Sequence, residues 1–164
     1  MKNCLFALVW AMLILLGGCK TLNAPPPAIG MSEQAVIEKS GEPSKRYQDG
    51  NDRLLEYSGY WGQQTYMARF GSDGRLKSWE QVLTSPKFAT VKLGETTKQQ
   101  VLLTFGTPAE TMVMPFMKYE VWSYRFKEND VWNSLMHIHF DQAGVVRMMY
   151  TGPDPQFDDT RRGR

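Results

Sequence analysis

His137 and His139, the only histidines of the chain, stand two residues apart in L-M-H-I-H-F. At the two-residue period of a strand, both imidazoles point the same way. Such a pair can bind a metal, titrate near neutral pH, or form a polar patch on a sheet face. A metal needs a third ligand, and no carboxylate or free thiol falls at a matching position. No metal and no cofactor is therefore expected.

Two other features carry binding chemistry. Residues 112–117 read M-V-M-P-F-M, a very apolar connection. Methionine adapts to varied partners, so this segment either binds, packs against the helix or forms the join between two halves. Tyr60, Trp61 and Trp132 fall in corresponding hairpin loops and form either a binding rim or a cap on the core. Catalysis finds no support. The chain has no nucleophile elbow, no phosphate-cradling glycine loop and no carboxylate pair in an apolar setting. Asp73 and Asp141 sit at turns, where aspartate serves the backbone.

The elements that must carry these residues come in two similar runs. Residues 101–108 read V-L-L-T-F-G-T-P, and residues 36–43 read V-I-E-K-S-G-E-P. In both, a valine is followed at fixed spacing by the glycine and proline that end a helix. Ser32 fits the first N-cap, and Thr97 with Gln100 fits a capping box. After each helix come Leu-Glu-Tyr (54–59) or Trp-Ser-Tyr (121–126), then strands at 65–70 and 135–140. A turn and a last strand follow, at 75–83 and 145–151. Recurrence of the whole order points to a duplicated unit.

Strand alternation then assigns faces. Tyr66, Ala68 and Phe70 match Met136, Ile138 and Phe140 as core. The opposite face carries Met67, Arg69, Lys77, Trp79 and Gln81 from the first run. From the second it carries Val121, Arg125, His137, His139, Arg147, Met149 and Thr151. Aromatic, methionine and arginine side chains are the types enriched at interfaces. The expected protein-binding surface is therefore Met67, Arg69, Trp79, Arg125, His137, His139, Arg147 and Met149, rimmed by Tyr60, Trp61 and Trp132.

Among 164 residues the formal net charge is +2, too balanced for nucleic-acid binding. Lys2, an apolar run over residues 5–16, and Gly17-Gly18 have the anatomy of a secretory signal. Leu16-Gly17-Gly18-Cys19 resembles the bacterial lipobox, which implies lipidation of Cys19; the alternative is an ordinary signal with an incidental cysteine. Lys20 after the cysteine implies, by the lipoprotein sorting pattern, the outer membrane facing the periplasm. Cys4 would leave with the signal, so no internal disulfide is expected. Three prolines at 25–27 stiffen a short tether.

The two-run pattern of capped helix, Gly-x-Pro, Trp/Leu-x-Tyr and Phe-x-x-x-Gly resembles the SmpA/OmlA (BamE-like) family of outer-membrane lipoproteins. Its tandem layout is similar to that of the β-lactamase inhibitor protein. The resemblance implies an α+β fold in which each unit packs a helix pair on a three-stranded antiparallel sheet. The two sheets are expected to join edge to edge. The expected organisation is a signal at 1–18, a lipidated tether at 19–28, units at 29–85 and 86–151, and a disordered tail at 152–164. The expected function is non-enzymatic binding of envelope proteins in outer-membrane assembly or maintenance. The alternative is inhibition of a periplasmic hydrolase. The expected partners are envelope proteins and, through Cys19, the membrane, with no nucleic acid and no small-molecule substrate.

Overall fold

The computed structural model describes residues 25–157. The expected signal and lipidated Cys19 lie outside them, as does the end of the tail.

Helix α1 (Glu33–Ser40) starts where the Ser32 hydroxyl accepts the Ala35 N–H, and stops at Gly41. Strands β1 (Lys45–Asp49), β2 (Asp52–Ser58), β3 (Thr65–Phe70) and β4 (Leu76–Gln81) follow, with a 3₁₀ turn at Tyr60–Gly62. A short helix α2 (Ser85–Phe88) leads to α3 (Lys98–Phe105), which opens on the capping box of Thr97 and Gln100. Strands β5 (Glu110–Met114), β6 (Tyr119–Glu128), β7 (Trp132–Phe140) and β8 (Val146–Pro153) follow, and a 3₁₀ turn at Pro155–Phe157 ends the described residues.

The result is an α+β fold with two four-stranded antiparallel sheets, ordered β1-β2-β3-β4 and β5-β6-β7-β8. Each sheet has one strand more than the three expected. The extra strands, β1 and β5, lie at sheet edges and are largely exposed on both faces. An edge strand wetted on both sides carries no alternation to read. Residues 112–114, expected as a connection, are thus the end of β5.

The two halves agree in detail. Gly30 donates to the Leu76 carbonyl and Leu76 to that of Met31; Gly94 donates to Val146 and Val146 to Thr96. Isolated bridges join Ser32 to Arg75 and Thr97 to Val145. Both last strands are bulged at the same place. Phe70 pairs with Leu76 but Arg69 with Ser78; Phe140 pairs with Val146 but His139 with Met148. Lys77 and Arg147 are therefore the extra residues. Past a one-residue bulge the alternation inverts. This reverses two expected positions: Trp79 lies beside Ala68, and Met149 beside Ile138.

The sheets are not joined edge to edge; they stack with helices between them. On one side of the first sheet, α1 buries Val36 against Leu55, Ala68, Phe70 and Leu76. On its other side Leu54, Met67 and Val82 meet Phe88, Val101 and Phe105, which also cover Trp122, Tyr124, Phe126, Ile138 and Phe140 of the second sheet. Phe88 stacks on Phe105 at 4.7 Å and meets Phe126 edge-on at 5.1 Å. The layers are α1, first sheet, α2 with α3, second sheet. Both faces of the first sheet are covered, whereas no helix among the described residues lies on the outer face of the second.

A buried carboxylate fixes the stacking. Glu56, on β2, is 0% exposed. It accepts from Tyr47 Oη at 2.5 Å, Ser58 Oγ at 2.9 Å, and Thr107 N and Oγ1 at 3.0 and 3.1 Å. Thr107 follows Gly106, which ends α3 at φ 77°. A Cβ at Gly106 would lie 2.7 Å from Glu56 Cδ, so the site needs glycine for space as well as for φ. Tyr124 Oη closes the group on the Gly106 carbonyl at 3.0 Å.

The expected disordered tail begins too early at residue 152. Gly152 and Pro153 pair with Leu135 and Ser134 in β8. Asp154 is buried and forms an ion pair with Arg125 at 3.1 Å.

Candidate functional site

The uncovered face of the second sheet is assembled by register. Glu110 stands beside Ser123, Ser123 beside His137, and His137 beside Tyr150. Met112, Val121, His139 and Met148 form the parallel row. Arg125 and Leu135 form a third. His137 and His139 do share this face, as the two-residue spacing requires.

The face is floored by buried groups and topped by apolar ones. His139 is only 2% exposed, and neither ring nitrogen has a hydrogen-bond partner. The Tyr150 ring lies 5.3 Å from it and 4.8 Å from His137; Tyr119 meets His139 edge-on at 6.1 Å. His137 Nδ1 is 2.8 Å from Ser123 Oγ. Burial lowers the pKa of both imidazoles below the ordinary value; Glu110 partly opposes this at His137, while His137 adds to it at His139. Both rings are therefore neutral at neutral pH. Arg125 bonds to Glu110 and pairs with Asp154, so its charge is compensated on the face. Met112, Met148 and Tyr150 are exposed. No group of three or more metal-ligating side chains occurs among the described residues. The arrangement suits recognition of a partner surface by aromatic and thioether contact.

The other expected residues are dispersed. Met67 is 5% exposed and buried beneath α3, so it cannot contact a partner. Arg69 is held by Asp49 at 2.8 Å and Asp52 at 3.5 Å on the first sheet. Trp79 lies between Tyr57 and Tyr66, at 5.0 and 5.5 Å, on the α1 side. Met149 packs against the central core. Arg147, at the bulge, binds Asp141 at 2.6 Å. Of the rim, Trp132 and Trp61 are exposed, and Trp61 meets Phe157 edge-on at 6.1 Å. The turn carrying Trp61 is tied to the start of β7, where Trp132 lies, by Gln63 Nε2 donating to Asn133 Oδ1 at 2.7 Å. The Tyr60 side chain lies outside the described residues.

Met112, Met148, Tyr150 and Asp154 were not anticipated on this face. A legible signal existed for Met148 and Tyr150. Gly74 and Gly144, both at positive φ, close equivalent turns just before the bulged starts of β4 and β8. A loop ending on such a glycine is a recognised companion of a bulge.

Residues 80–150 match the family described as the outer membrane protein assembly factor BamE domain. This stretch is similar to the BamE domain. It takes in the end of β4, both α2 and α3, and the second sheet as far as Tyr150. The whole uncovered face, apart from Gly152 and Asp154, is thus part of the BamE-like domain. Its family description is that of an assembly factor at the outer membrane. Among the described residues no helix is long and apolar enough to cross a membrane.

No curated protein matches the chain. Two solved structures are similar in part. A DUF4309 family protein (YjgB) of Bacillus subtilis is 14% identical, with TM-score 0.33, covering 84% of this chain and 86% of its own. A putative beta-lactamase inhibitor protein of Streptococcus mutans is 14% identical, with TM-score 0.30, covering 75% of this chain and 83% of its own. At this level neither likeness carries functional meaning.

Proposed function

We propose that the protein is a non-enzymatic binding module of outer-membrane assembly, anchored through lipid on Cys19 and facing the periplasm. Its binding surface is the outer face of the BamE-like domain: Met112, Arg125, His137, Met148 and Tyr150, with His139 buried beneath Tyr150 as their support. Trp61 and Trp132 stand at its loop end. The observation that carries this reading is the uncovered sheet face. Every other sheet face is packed under a helix, and this one is topped by methionine and tyrosine over neutral histidines. Tyrosine is among the side chains that dominate binding energy at interfaces, and methionine is enriched there. The partner is an envelope protein, and the reading requires no cofactor.

The test replaces Met148 and Tyr150 together by aspartate in the full-length protein, expressed in cells lacking the native copy. Both side chains are exposed, but Tyr150 also packs on His137 and His139, so the melting temperature is measured alongside. The reading predicts fewer β-barrel proteins in the outer membrane of the variant strain. Normal barrel levels with a normally stable variant would overturn it. Inhibition of a periplasmic hydrolase by the purified protein, with barrel levels unaffected, would favour the inhibitor reading instead.

A further inference from the structure

Two open sheets leave four edge strands: β1, β4, β5 and β8. An exposed edge presents unpaired backbone donors and acceptors, and proteins blunt it with charges, prolines or bulges. β1 carries Lys45, Arg46 and Asp49 within five residues. β4 is bulged at Lys77 and carries Glu80. β8 is bulged at Arg147 and ends on Gly152-Pro153. β5 has none of these protections. It reads E-T-M-V-M, pairs with β6 without a register shift, and its single charge, Glu110, is bound to Arg125. Thr111, Met112 and Val113 are exposed, and the hairpin they enter turns with Phe116 at 102% exposure.

A second feature lies on the inner side of this edge. Thr111 stands beside Trp122 in the ladder. Trp122 is one wall of an apolar groove of about 540 Å³, whose other walls include Tyr47, Leu102 and Leu103. A strand laid against β5 would direct alternate side chains to the groove side and to the outer face.

We propose that β5 is a strand-addition site. It takes up an extended, otherwise unpaired segment of a partner protein, uncharged and apolar at alternate positions, whose main chain extends the second sheet. This rests on the reading of the protein as an envelope-protein binder and adds how the partner is held. The chemistry of the edge sets the occupant: β5 offers main-chain hydrogen bonds and apolar side chains but no spare charge. A second copy is a poorer occupant. Pairing of β5 with itself engages five residues a side, whereas stable interfaces use roughly 20–30. An extended segment needs only a strand's length, because its main chain supplies the affinity.

The probe is a fluorescein-labelled peptide of alternating valine and threonine, about six residues long, titrated against the full chain in detergent. Fluorescence anisotropy should report saturable binding. The T111K/V113K variant puts two lysines on the edge at exposed positions, and its melting temperature is measured alongside. Either that variant or a peptide N-methylated at alternate residues should weaken binding by about tenfold or more, since lysines blunt an edge with charge and N-methylation removes the peptide's main-chain donors. Absence of binding, or binding that ignores both changes, overturns the proposal. So does a dimer that T111K/V113K dissolves while the peptide stays unbound, which would assign the edge to a second copy. If the M148D/Y150D strain loses barrel proteins and the peptide still fails to bind, strand addition fails alone and the broader function stands.

Discussion

Glu56 carries a carboxylate into the centre of the molecule, where donors from both halves converge on it. The bond to Glu56, after burial itself, pushes the Tyr47 phenol up to about 12. Removing the side chain takes the shared acceptor from Tyr47, Ser58 and Thr107 and leaves a cavity at a fully buried position. Glu56→Ala should therefore cost about 2–4 kcal/mol of stability, read from denaturant unfolding. Gly106→Ala should cost a comparable amount, because it adds a clash to a strained φ. Gly50→Ala, at φ 57° with nothing within 4 Å, should cost only about 1 kcal/mol. None of this was legible in Leu-Leu-Glu-Tyr, since the donors at Thr107 lie 51 residues away. The histidines were legible, because a two-residue period needs no tertiary knowledge. They also give a pH prediction. Their folded pKa is depressed, so the unfolded chain binds the proton more readily. The stability they contribute is complete above the unfolded value of about 6.5 and is lost as pH falls through the lower folded value. Melting temperature should drop as pH falls below about 6.5, and His139→Leu should flatten that part of the profile.

At the scale of elements, helix ends were the clearest part of the sequence. Ser32, Thr97, Gly41 and Gly106 cap where their types require. The central strands were legible too, since each has one face in a core. β1 and β5 were not, and the bulges at Lys77 and Arg147 escaped notice in both halves at once. Those bulges carried Trp79 and Met149 from the expected binding face to packed positions. One extra residue, invisible to a simple alternation count, thus moved two candidate residues. The short α2 matters beyond its length, because Phe88 bridges α3 and the second sheet. Phe88→Ala should destabilise the protein by about 3–5 kcal/mol. Because the core cluster that holds Phe88 includes residues of both sheets, chemical denaturation of the wild type should give one transition, not two.

At the scale of the whole molecule, the fold class and the repeated order of elements could be read from caps, turns and strand patterns. The stacking could not. Which face of the first sheet is free depends on whether α3 docks there, and that follows from Glu56 and Met67 meeting residues of the other half. Covering that face buries Met67, one residue of the expected binding surface, and leaves the outer face of the second sheet to carry the proposed function. The central claim is that its outer face meets an envelope protein. The most direct measurement places a photo-cross-linking residue at Met148 or Tyr150, and at Gln34 on α1 as control, in the full-length protein in living cells. The account predicts a discrete adduct with an outer-membrane assembly component from positions 148 and 150 and none from 34. An adduct from Gln34 alone, with positions 148 and 150 silent, would contradict it.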